Sequence, residues 1–137
     1  LPLAVDAALG IGPPLTLHGN DYPTPDGSCV RDYVHVSDLA QAHLKALQWL
    51  RARTGAGVHE AFNIGSGTGN SVKQVIAGVA SIVGHEVPHS IGPRRPGDSP
   101  KLVGDISKAR LELDWSPKRD LAKQLDDTVR WRRKMPR

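Results

Sequence analysis

The chain has 137 residues, 39% of them hydrophobic and 23% charged, ordinary for a soluble globular protein and long enough for one domain with a core of its own. No apolar run approaches the roughly 20 residues that a membrane-spanning helix needs, so no membrane role is expected. The formal charge of +4 invites a nucleic-acid partner, but Arg130, Arg132, Arg133, Lys134 and Arg137 concentrate it in a basic tail over 130–137; the other 13 basic residues face 14 acids, and no nucleic-acid partner is expected.

"LPLAVDAALG" opens without a methionine and already in helical register, with Leu3, Ala7 and Ala8 on one stripe before a stop at Gly10, the look of a chain entered midway. Leu15 to His18 reads as a short strand, and Pro23, Pro25 and Gly27 make the next stretch a loop. "CVRDYVHV" alternates like a strand, with Ser37 placed to cap the helix that follows. That helix, about Asp38 to Arg53, carries Leu39, His43, Ala46, Leu47 and Leu50 on one stripe and ends at Gly55 and Gly57.

"HEAFNI" reads as a strand that feeds a glycine loop. A second helix from Ser71 to Val83 places Val72, Val75, Ile76, Val79, Ile82 and Val83 near the ideal 3.6-residue spacing and stops at Gly84. "VPHSI" and "KLVGD" are short extended pieces on either side of the proline-rich loop "GPRRPGDSP". A short helix, Ser107 to Leu113, is capped by Asp105 or Ser107, and a last amphipathic helix runs from about Leu121 to Arg133.

The loop in "FNIGSGTGNSV" raises the question of phosphate binding, and its plainer reading is a glycine-rich turn that lets a strand feed a helix, with the backbone N–H groups of Asn70 to Val72 free at the helix N-terminus. A dinucleotide fingerprint needs G-x-G-x-x-G; the glycines are Gly65, Gly67 and Gly69, with Asn70 where the third should stand. No Gly-Lys-Ser/Thr follows, which excludes a Walker loop. Loop arginines carry the planar fork that matches phosphate oxygens, and Arg31, Arg94 and Arg95 lie outside the helices. Arg31 can instead pair with Asp32 or Asp38, and Asp98 can accept from a sugar hydroxyl or orient Arg95.

In order and separation, "NDYPTPDGSCVRDYVHVSDLAQAH", "FNIGSGTGNSV", "PRRPGD" and "DISKARLELDWSPK" resemble the C-terminal part of the UDP-glucose 4-epimerases, of the extended short-chain dehydrogenase/reductase family. The likeness runs from about Leu15 to Trp131. It implies an α/β fold, the substrate-binding portion of an extended Rossmann-type enzyme built from short strands with amphipathic helices. Residues 1–137 would form the UDP-sugar-binding domain, without the N-terminal NAD-binding domain. The resemblance further implies that Arg31 and Arg95 clamp a diphosphate, Asp98 accepts from the uridine ribose, and Val72 packs on the uridine. The strand around Thr16 and His18 would offer main-chain hydrogen bonds to the uracil. Arg94 is left out of the site, and Leu102 stands where some epimerases place a tyrosine.

Such enzymes use NAD to oxidise the sugar at C4, turn the 4-keto intermediate and return the hydride, with a Tyr-x-x-x-Lys pair as acid/base. Here the tyrosines are Tyr22 and Tyr33, and four residues beyond them stand Asp26 and Ser37. The resemblance therefore implies UDP-sugar as partner, NAD and a homodimer for the full-length enzyme, and no epimerase activity in this chain alone. Another nucleotide-sugar enzyme of the family and a non-catalytic nucleotide-sugar module are the competing readings. The single cysteine, Cys29, excludes an intrachain disulfide, and with no secretory signal visible a cytoplasmic location is expected. No metal site is expected, because Pro88 prevents His85 and His89 from sharing a helix face. His43 reads as a partly buried core histidine, and Trp49, Trp115 and Trp131 as anchors of helix packing.

Overall fold

A computed structural model describes residues 1–53 and 57–135. The expected helix stop at Gly55 and the tail residue Arg137 lie outside the described residues.

Helix α1 (Pro2–Ala8) starts on a proline, whose missing N–H costs nothing in a first turn, and buries Ala4, Val5, Ala7 and Ala8. Leu3 does not share that face as the spacing predicted: it is 69% exposed, because the fully buried Val5 sets the face that meets the other helices. α3 (Val72–Val83) follows the predicted helix closely. The Ser71 hydroxyl accepts from the Gln74 N–H, and the Gln74 side chain accepts from the Ser71 N–H, a reciprocal capping box. Gly84, at φ 83°, closes the helix in the left-handed region that a side chain would resist. α5 (Leu121–Lys134) is capped by Asp120, which accepts from the Lys123 N–H, and buries Gln124, Leu125 and Val129. Helices α1, α3 and α5 pack together over a core that includes Val5, Val75, Val79, Leu125 and Val129, each contributing about 1.5 to 3 kcal/mol by leaving water. Arg132 pairs with Asp6 across this bundle, so that part of the basic tail is a structural tie.

A second cluster joins α2 (Val36–Arg51) to α4 (Ser107–Leu113) through Ala42, Ile106, Ala109, Leu113 and Trp115. The α2 face differs from the predicted stripe. Leu47 and Leu50 are exposed and His43 is an exposed residue whose ring bonds the Leu39 carbonyl, whereas Asp38 and Ala42 are buried. Small Ala42 permits close approach to α4, and buried Asp38 ties α2 to residues 118 and 119. The N-cap is His35 and not Ser37: the His35 Nδ1 accepts from the Ser37 N–H at 3.0 Å. α4 has no side-chain cap at its N-cap residue Ile106, although Asp105 accepts from the Ser107 N–H. Trp115 is buried and Trp49 meets Phe62 edge-on, but Trp131 is 58% exposed and anchors little.

The strands among the described residues form two small sheets. β1 (Leu15–His18) pairs in parallel with a later strand over His89–Gly92. In the other sheet β2 (Val30–Asp32) is central, antiparallel to β3 (Gly69–Ser71) and parallel to Lys101–Leu102, so β4 is His89–Gly92 and β5 is Lys101–Leu102. The predicted strand "CVRDYVHV" is cut to its first part because α2 starts at Val36. The predicted strand "HEAFNI" is not a strand in the structure; Lys108 pairs with Glu60, and Asn63 donates to the Asp105 carbonyl, holding the segment beside α4.

Candidate functional site

One cavity of about 280 Å³ gathers all six residues singled out by the sequence: Thr16, His18, Arg31, Val72, Arg95 and Asp98. Thr16 and His18 lie on β1, whose other edge carries no strand among the described residues, so its outer main-chain groups are not consumed by a ladder. Arg31 sits in mid-β2, and half-buried Val72 is the first residue of α3. An adjoining hollow of equal size shares Leu3, Leu15, Thr16, His18 and Arg95. A larger cavity of about 630 Å³ between α1, α2 and α5 is mostly apolar and holds no arginine.

Arg31 pairs with neither Asp32 nor Asp38. Its Nη2 donates to Asp98 Oδ1 at 3.2 Å, and its Nη1 donates to the carbonyls of Ser99 at 2.8 Å and Val30 at 3.0 Å. Asp98 thus orients Arg31 and not Arg95, whose carbonyl meets the Asp98 N–H in a turn. The Arg95 guanidinium is exposed and engages no acid among the described residues. Arg94 is directed away from the cavity, with Nε on Asp21 Oδ1 at 2.7 Å and its guanidinium over the Tyr22 ring. Tyr33 also lines the cavity; burial raises its phenol pKa above the usual value, against the nearby Arg31 charge.

The glycine loop leads through β3 into α3, but its backbone donors are not left free as the sequence suggested. The N–H groups of Ser71 and Val72 are not free: they donate to Gln74 Oε1 and the Cys29 carbonyl. What the loop wraps is the carboxylate of Asp32, which accepts from the Ser66 N–H at 2.6 Å and the Gly104 N–H at 3.1 Å. A Cβ on Gly65 would stand 2.1 Å from Asp32 Oδ2, and one on Gly69 would stand 2.3 Å from Val30 Cγ1. The loop is glycine-rich because β2 and its carboxylate pass through it, which keeps Arg31 in place on the same strand.

The family model for GDP-mannose 4,6 dehydratase matches residues 2–128. The chain belongs to this family. Among curated relatives, it is 44% identical over 131 residues to the UDP-glucose 4-epimerase of Bacillus subtilis and 45% identical over 130 residues to that of Azospirillum brasilense. These alignments cover 96% and 95% of the chain but 38% and 36% of the relatives, so the chain spans a little over a third of their length. Among solved structures, the UDP-glucose 4-epimerase of Bifidobacterium longum, determined with NAD+ and UDP, superposes with a TM-score of 0.88 at 37% identity, covering 97% of this chain and 38% of that one. The α/β arrangement of five helices and short strands among the described residues matches the C-terminal part of the epimerase structures. No helix among the described residues is long and apolar enough to cross a membrane.

Sequence reasoning missed Asp32, although it stands beside Arg31, because its partners Ser66 and Gly104 are 34 and 72 residues away. Within this family member, Gly65→Ala is expected to push Asp32 off its donors and cost about 1 to 3 kcal/mol, the usual penalty for overpacking. A urea unfolding curve would read it, and unchanged stability would contradict the role given to the loop.

Proposed function

We propose that the chain binds the nucleotide half of a UDP-sugar and serves the interconversion of UDP-galactose and UDP-glucose performed by UDP-glucose 4-epimerases. The observation that carries this reading is the convergence of Arg31, Arg95 and Asp98 with Val72 and the open edge of β1 in one cavity. Each part has a chemical use. The guanidinium groups suit the two phosphates. Asp98 can accept from ribose hydroxyls with the oxygen that Arg31 leaves free, and Val72 gives a pyrimidine an apolar wall. The outer edge of β1 near Thr16 and His18 offers N–H and C=O groups to the uracil.

NAD belongs to this reading as the cofactor of the longer epimerases, for which it supplies hydride transfer. The residues present do not fit it: the glycine loop is filled by Asp32, and the N–H groups of Ser71 and Val72 are already bonded. A cytoplasmic location, supported by the single buried cysteine, and a homodimer go with the same reading.

The 137-residue chain carries no Tyr-x-x-x-Lys pair, so binding without turnover is its expected behaviour. In a coupled assay the purified chain should leave UDP-galactose unconverted while UDP-glucose binds; turnover would contradict the division of labour. The match to a family model for another nucleotide-sugar enzyme favours one competing reading, a different base or sugar. Tighter binding of GDP-mannose or of dTDP-glucose than of UDP-glucose would establish it.

A further inference from the structure

Two arginines stand side by side in the loop after β4, yet only Arg95 faces the cavity. Arg94 binds the segment before β2. Its Nε donates to Asp21 Oδ1, its Nη2 donates to the Asp21 carbonyl, and its guanidinium carbon lies 4.4 Å from the centre of the Tyr22 ring. Tyr22 is itself only 5% exposed, so it is a fixed surface against which the arginine is stacked. The same two segments are tied again by the Gly19 N–H on the Gly92 carbonyl at 2.9 Å and by His18 Nδ1 with the Pro93 carbonyl at 3.3 Å. At its far end the loop is held by Arg31, through Asp98 and the Ser99 carbonyl. Between these two anchors lies Arg95, exposed and engaging no acid among the described residues.

We propose that Arg94 is a positioning residue: by clamping Asp21 and Tyr22 it holds the backbone from which Arg95 reaches the nucleotide phosphates. The inference rests on the UDP reading of the cavity. Asp21 is the acceptor on both its side chain and its main chain, a two-point contact that a lysine ammonium cannot reproduce while also stacking on Tyr22. The Arg94 clamp also gives the "NDY" segment a function, as the wall against which the "PRRPGD" loop is set.

The test is a double-mutant cycle on UDP affinity, measured by calorimetry on the 137-residue chain. R94A is expected to weaken UDP binding roughly three- to tenfold, the size of one exposed ion pair with a cation–π contact. D21A should weaken it in the same direction, since it removes the side-chain half of the clamp, and R94K should restore only part of the loss. In an R95A background, R94A should change affinity less than about twofold, because the group it positions is gone. An equal loss in both backgrounds assigns Arg94 a general structural role and overturns the proposal, as does unchanged affinity in R94A itself. Absence of UDP binding in the wild-type chain is a separate result, which removes the UDP reading on which the clamp depends.

Discussion

Replacing Arg31 with alanine is expected to weaken UDP binding about 10- to 100-fold, the loss of roughly 1.5 to 3 kcal/mol that follows removal of a charged, two-pronged phosphate contact. A guanidinium has five N–H donors. Three are occupied by Asp98, Ser99 and Val30, which lock its plane. The two that remain, one on Nε and one on Nη2, are the donors this reading assigns to phosphate oxygens. R31K keeps the charge but has no planar fork, and it should recover only a minor part of the affinity. Calorimetric titration of UDP into wild type, R31A and R31K measures this, with a thermal melt of each variant to separate lost contact from lost fold. Full affinity in R31K would mean that the site reads charge alone.

Replacing Asp38 with asparagine is expected to destabilise the fold by about 3 kcal/mol, the scale of breaking a buried pair by removing one charge. Asp38 is 2% exposed. Its Oδ2 accepts from the N–H groups of Lys118 and Arg119 at 3.0 and 2.9 Å, and its Oδ1 pairs with the Arg119 guanidinium. An asparagine turns one of these acceptors into a donor facing donors. The Asp38 main chain adds a further tie, since its carbonyl accepts from the Trp115 indole N–H at 3.0 Å. Burial by itself opposes ionisation of Asp38, but the two backbone donors and Arg119 outweigh it, and its carboxyl pKa lies below the usual value. A carboxylate whose pKa is lower in the folded state adds stability above its unfolded value, near pH 4, and loses it as pH falls through the folded value. The difference in unfolding free energy between wild type and D38N should therefore be full at neutral pH and shrink below about pH 4. A difference that stays constant into that range would contradict the ionised pair.

These residues mark where sequence reading succeeds and where it stops. α3 was legible to within a residue because its apolar spacing and its stop at Gly84 act locally, while the capping box that makes Ser71 the N-cap instead of the first helical residue was not read. β3 was not legible, since Gly69, Asn70 and Ser71 have little strand preference and are extended only because β2 lies against them. The orientation of α2 was misread for a similar reason. Its leucines form the more hydrophobic stripe, but the buried side is chosen by Ala42 against α4 and by Asp38, whose partners lie 80 and 81 residues on.

The six candidate site residues came from a resemblance over ordered motifs, and no local spacing rule would have joined Thr16 to Asp98. What that resemblance lacked was the internal wiring: Arg31 held by Asp98, Arg94 diverted to Asp21, and the glycine loop closed around Asp32. Each of these is a contact between segments distant in the chain, visible only once the two sheets bring them together.

The most direct test of the account is calorimetric titration of UDP into the wild-type chain and R95A at one fixed salt concentration, because Arg95, unlike Arg31, lines the cavity without pairing with an acid among the described residues. Saturable binding of one UDP per chain, weakened about 10- to 100-fold in R95A, is the predicted result. No binding to the wild-type chain, or equal affinity in R95A, would contradict the assignment of this cavity to a nucleoside diphosphate.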